Sequence, residues 1–164
     1  MATMFHDGSR SLQDRFDTRR IADRIEKVLV HDFISEDDAA FIEAVDMFFI
    51  ATADEDGRPS FSYKGPNVGL LFISFERGQR MRLNGVASID ERDPLLADYP
   101  EAQFIVRIAV REVFPNCPRY IHRYALVERS RFVPRAECKT PVPDWKRAEW
   151  ARDALPAKDP AREA

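Results

Sequence analysis

The sequence is most informative at first for what it lacks. No apolar run approaches the roughly 18–20 residues that carry a helix across a bilayer, so no spanning segment is expected. Cysteine is scarce: Cys117 and Cys138 are the only two in 164 residues, and they do not form a C-x-x-C pair. That excludes a disulfide scaffold and leaves two reduced thiols. Basic charge is not in excess either, with 25 Lys and Arg against 28 Asp and Glu and a net charge of −3. General nucleic-acid binding, which calls for a basic surface, is therefore not expected. There is no G-x-G-x-x-G, no Walker loop, no H-E-x-x-H and no nucleophile elbow. The opening residues, MATMFHDGSRSLQDRFD, lack the apolar core of a secretion signal. The expectation is a cytoplasmic protein with neither membrane nor nucleic acid as a partner.

What remains is a chain that is 45% hydrophobic and 32% charged, the balance of a soluble globular domain large enough to bury a core. Ser11-Leu12-Gln13-Asp14 resembles a capping box, and Ile21, Ile25, Val28 and Leu29 recur at helical spacing, which predicts a helix over 12–29. Ser35 followed by Glu36, Asp37 and Asp38 predicts a second helix, with three acids at the positive end of its dipole. From Met47 to Ile89 the pattern becomes one of strands. Met47–Ala53 is almost continuously apolar, and Pro59 opens a strand or marks an edge. Val68–Phe75 (VGLLFISF) reads as a central strand, and Arg80–Ile89 follows a turn at Glu76-Arg77-Gly78. Leu95 and Leu96 anchor a short helix. Gln103–Val113 is a further strand, with Phe104, Val106, Ile108 and Val110 on one face and Arg107 and Arg111 on the other. An extended segment is expected from Tyr124 to Phe132, and a last helix from Asp144 carries Trp145, Trp150 and Leu155.

Five or six strands flanked by helices favour a closed or nearly closed antiparallel barrel in an α+β setting. Within one domain, residues 1–45 form a helical segment, 46–134 the core, and 135–164 the C-terminal helix and tail. The strands that carry chemistry are the second and fourth. Alternation sets Ser60, Ser62 and Lys64 opposite Phe61 and Tyr63, and sets Arg80, Arg82 and Asn84 opposite Met81, Leu83, Ala87 and Ile89. Two such polar faces side by side can hold a planar anionic ligand. An ordinary solvated strand face is the competing reading for Arg80 and Arg82, as is a surface lysine for Lys64.

The ordered series SYKG, VGLLF, RLNG and FPNCPRYIHR, preceded by ATADEDGRP, resembles the pyridoxamine 5'-phosphate oxidase-related, FMN-binding split-barrel proteins over roughly residues 41–150. The resemblance implies a mainly β, α+β fold: a six-stranded antiparallel split β-barrel with flanking helices. It also implies a homodimer that holds FMN at the subunit interface and oxidises or reduces a small-molecule substrate. The cofactor-binding set it points to is Ser62, Tyr63, Lys64, Asn67, Arg80, Arg82 and Asn84. Hydroxyl, amide and cationic donors of this kind suit a phosphate and the acceptor-rich edge of a flavin. One departure stands out. Lys64-Gly65 runs directly into Pro66-Asn67-Val68, so a piece of the family pattern worth about two strands is absent after Gly65. A deletion, an omitted segment or a diverged arrangement would each account for it.

A flavin enzyme needs little acid–base equipment, because the ring carries the redox step. No catalytic residue is named. His122 is the best titratable candidate, although Arg119, Tyr120, His122 and Arg123 equally suit a dimer interface. Trp145 and Trp150 either cap the flavin or pack the last helix. Cys117 and His122 are too few for a metal site. The alternative function is a non-catalytic dimeric split-barrel module that holds FMN or haem, with a degraded phosphate site. Haem would need His6, His31 or His122 as its axial ligand.

Overall fold

The computed structural model describes residues 4–53, 59–60, 67–152, 154–156 and 159–162. It divides into two compact units. The first contains Met1–Asp90 and Val106–Ala125, and the second Glu91–Ile105 and Leu126–Ala164.

The first unit is α+β. Helices α1 (Asp7–Arg15), α2 (Arg19–Leu29) and α3 (Glu36–Glu43) precede an antiparallel sheet of β1 (Phe48–Ala53), β2 (Pro59–Ser60), β3 (Asn67–Ser74), β4 (Gln79–Asp90) and β5 (Ile105–Asn116). The strand order is β2-β1-β3-β4-β5, so VGLLFIS is the central strand, as its apolar run requires. Pro59 opens the edge strand β2, where its missing N–H costs the ladder least. The β3–β4 hairpin closes through Gly78, which takes φ 66° and donates its N–H to the Ser74 carbonyl at 2.8 Å. A positive φ is a conformation that glycine adopts without penalty.

The single helix expected over 12–29 is two helices. α1 begins earlier, capped by His6 rather than Ser11: the His6 ring accepts from the Ser9 N–H. α1 ends in a Schellman turn. Asp17 adopts φ 51°, the Thr18 N–H reaches the Gln13 carbonyl at 2.8 Å, and the Asp17 N–H reaches that of Asp14 at 3.3 Å. Arg10 then ties the two helices together through Asp23 and Glu26, each at 2.6 Å. α3 follows its sequence signal closely. Ser35 accepts from the Asp38 N–H while the Asp38 carboxylate accepts from the Ser35 N–H, a complete capping box.

The core lies on one face of the sheet. Leu70 and Phe72 from β3, Met81 and Leu83 from β4, and Val113 from β5 are buried together, and Phe41, Ile42 and Val45 pack on them from the α3 side. Ile89, expected on this face, is exposed near the strand end. Among the described residues the sheet has five strands, not six, and it does not close. β2 is two residues long, and the outer edge of β5 is already bridged by His31, so the two edges of the sheet do not pair with each other.

The second unit holds a short 3₁₀ turn at Pro94–Asp98, capped by Asp93, as Leu95 and Leu96 predicted. Its expected C-terminal helix is a 3₁₀ turn at Asp144–Arg147 followed by one α turn, α4 (Glu149–Arg152). Trp145 and Trp150 stack on each other at 6.1 Å, and Lys146 is tied to Asp159 at 2.6 Å. No strand forms over 124–132. No helix among the described residues is long and apolar enough to cross a membrane.

Candidate functional site

Cross-strand register fixes what shares the face opposite the core. Phe49 of β1 lies beside Leu71 of β3, which lies beside Arg82 of β4. The next row runs Ala51, Gly69, Asn84, and the one after it pairs Asn67 with Val86. This face therefore has an apolar floor of Phe49, Leu71, Ala51 and Gly69, with guanidinium and amide groups along one border. Gly69 keeps the floor open: a Cβ there would stand 3.2 Å from the Asn84 Oδ1.

β5 adds two groups that strict alternation would have separated. Ile108 and Val110 pack against the core, but so does Val113, an odd-numbered residue. One extra residue is thus absorbed between Val110 and Val113, as in a β-bulge, and Arg111 and Glu112 both reach the polar face. The Asn84 Nδ2 donates to the Glu112 carboxylate at 3.0 Å, and the Arg111 Nη1 donates to the Asn67 Oδ1 at 3.4 Å. The sequence did carry a sign of this: in Val110-Arg111-Glu112-Val113 two charged residues separate two apolar ones, a spacing that period two cannot accommodate.

A cavity of about 400 Å³ lies at the far end of β4, against α3 and the end of β5. Phe41, Met81, Pro115 and Pro118 give it apolar walls, while Arg80, Asn116 and Asp37 are polar. One staple positions α3 here. The His31 backbone bonds Val113 in both directions, at 3.1 and 2.7 Å, and its ring Nε2 donates to the Asp38 carboxylate at 2.7 Å. The Ser35 hydroxyl donates to the same oxygen at 2.6 Å. Burial pushes the Asp38 carboxyl up, but the hydrogen bonds from Ser35 and His31 outweigh it and hold the group below the usual carboxylate range. The sign follows. Stability from the charged Asp38 is full above the unfolded value of about 3.9 and is lost as pH falls through the lower folded value. Asp38→Asn should melt below wild type at neutral pH, by a margin that narrows in acid below about pH 4. Thermal melts across that range check it, and a gap constant down to the lowest pH would contradict it.

Arg80 pairs with Ile73, so it continues the face of Arg82 by one row, and it also borders this cavity. Its Nε is buried and has no hydrogen-bond partner. Cys117 is exposed beside the cavity-lining Asn116 and Pro118, and its Sγ accepts from the Arg119 Nε at 3.2 Å. The Arg119 backbone N–H and guanidinium, with a smaller contribution from Arg80, hold the Cys117 thiol below its usual range.

The structure therefore brings Asn67, Arg80, Arg82 and Asn84 onto one face, with Arg80 at its end beside the cavity, and joins Arg111 and Glu112 to them. Ser62, Tyr63 and Lys64 lie outside the described residues. His122 meets the Tyr124 ring edge-on at 6.4 Å. Two of the histidines considered for haem already have roles, His6 as a helix cap and His31 as the staple. No group of three metal-ligating side chains occurs among the described residues.

Fold and site together define an α+β protein whose antiparallel sheet carries a polar-bordered face backed by an apolar core. Comparison with known proteins returns no matching family model, no matching curated protein and no matching solved structure.

Proposed function

We propose that this protein binds FMN on the outer face of β1, β3 and β4, as a split-barrel protein of the pyridoxamine 5'-phosphate oxidase-like type, and that it acts as a flavin-dependent oxidoreductase on a small molecule. The observation that carries this reading is the pair of cross-strand rows Phe49–Leu71–Arg82 and Ala51–Gly69–Asn84. A planar ring needs an apolar floor with room above part of it, and its acceptor-rich edge needs donors. Gly69 and Ala51 meet the first need, and Arg82 and the Asn84 amide meet the second. The Glu112 carboxylate sits at the same border, so the phosphate belongs at the Arg82 end rather than beside Asn84. When bound, the isoalloxazine supplies the redox chemistry; the chain's own residues bind it, orient it and shield it from water.

A homodimer is part of the proposal. Met47, Phe48 and Phe49 are each about half exposed, a concentration of apolar surface that a second copy would cover. The six-stranded barrel belongs to the proposal as well, since the five described strands leave it open.

The test is titration of the purified protein with FMN, followed by flavin fluorescence. Arg82→Ala and Lys64→Ala should each weaken binding by about 1–3 kcal/mol, the scale of a charge-assisted hydrogen bond. Protein that takes up no FMN would remove the reading. Unchanged affinity in both variants would remove the assignment of this face.

A further inference from the structure

Arg80 raises a question that the flavin reading leaves unanswered. A buried guanidinium nitrogen without a hydrogen-bond partner is costly, and such groups are rare enough in folded proteins that each calls for a cause. The obvious protein partners are otherwise engaged or turned outward. The Asp38 carboxylate is occupied by Ser35 and His31, and Asp37 is exposed. Among the described residues Arg80 forms no ion pair. Yet it lines a cavity of about 400 Å³, large enough for a ligand of ten or so heavy atoms, whose other walls are Phe41, Met81, Pro115 and Pro118 together with the polar Asp37, Asp38, Gln79 and Asn116.

We propose that this cavity is a binding site for a small amphipathic monocarboxylate, an aryl or branched alkyl acid. Its carboxylate meets the Arg80 guanidinium, and its apolar body rests on Phe41, Met81, Pro115 and Pro118. A planar guanidinium matches a carboxylate in geometry and charge, and the Asn116 amide stands in the same wall as a second donor. Charge decides against a phosphate. Asp37 and Asp38 both line the cavity, so a dianion would meet two carboxylates, whereas a monoanion needs only the one cation. The cavity adjoins the Arg82 end of the proposed flavin face, and its occupant is tested without flavin.

The experiment uses the intact protein with phenylacetate as the probe, inorganic phosphate and phenethylamine as controls, and the Arg80 Nε–H signal in ¹H–¹⁵N spectra as the readout. Phenylacetate should saturate and move the Arg80 signal downfield. Phosphate should move it less at equal concentration, and phenethylamine not at all. Arg80→Gln should weaken phenylacetate binding by about tenfold or more, measured by calorimetry on protein whose melt shows it folded. Arg80→Lys should retain part of the affinity, because it keeps the charge and loses the fork. Phenylacetate that leaves the Arg80 signal in place would overturn the proposal. So would phenethylamine binding as tightly, since that would make the acids the recognition element.

Discussion

Val113→Asp should give no cooperatively folded protein. Val113 is 0% exposed, the most completely buried of the core residues, and it sits among Leu70, Phe72, Met81 and Leu83. A carboxylate there meets neither a cation nor a donor. The cost of stranding a buried charge is several kcal/mol, against a total stability of about 5–15 kcal/mol for a domain of ordinary size. The position also does more than fill space. Its backbone bonds His31 in both directions, so losing the packing around Val113 also loosens the staple that sets α3 against β5. Val113→Ala separates these effects. It removes methyl groups but keeps the backbone bridge, and it should remain folded with a stability lower by about 1–3 kcal/mol. Far-ultraviolet circular dichroism and thermal melting measure both variants. A soluble Val113→Asp protein with the wild-type melting temperature would show that the core has been placed on the wrong face.

Alternation put Phe104, Val106, Ile108 and Val110 on the core face of β5; Ile108 and Val110 do pack against the core, but the fully buried residue is Val113, which alternation left out. The reason is physical. Period-two alternation was counted from Phe104, and the extra residue before Val113 shifts the phase where the strand meets the core. Elements set by local chemistry were legible. Ser35 and Asp38 specify a cap within four residues, Gly78 specifies a turn, and VGLLFIS is apolar enough to demand the centre of a sheet. Elements set by a neighbour were not. Asp17 takes a left-handed conformation without being glycine, so nothing in its identity announces that the first helix stops there. His31 pairs through its backbone, which leaves no side-chain signature at all. At the candidate site, alternation placed Arg82 and Asn84 on one face correctly. It could not tell that Arg80, two residues away on the same strand, also borders a cavity shared with α3 and has its Nε buried, because that depends on where the staple holds the helix.

Gly85→Val should be nearly as damaging as Val113→Asp, for the opposite reason: too much volume rather than a misplaced charge. A Cβ on Gly85 would stand 2.5 Å from the Ala109 carbonyl oxygen and 2.5 Å from the Ile108 Cγ2. The first of these is backbone and cannot rotate away. β5 would have to move off β4, and β5 carries Val113, the His31 bridge, and both Arg111 and Glu112. Overpacking of this kind typically costs about 1–3 kcal/mol and more where backbone must shift, so Gly85→Ala should melt well below wild type and Gly85→Val should not fold. Gly69 is the matched control. It also lies in the ladder, but its added Cβ would meet only the Asn84 Oδ1, at 3.2 Å, and a side chain can swing aside. Gly69→Ala should therefore cost little stability while lifting the floor on which the flavin ring is proposed to lie. Denaturant melts of the two alanine variants, read beside their FMN titrations, separate the two roles: Gly85 should cost folding, and Gly69 should cost binding. Equal melting midpoints for the two alanine variants would mean that β4 and β5 are not in the close contact on which the whole polar border depends.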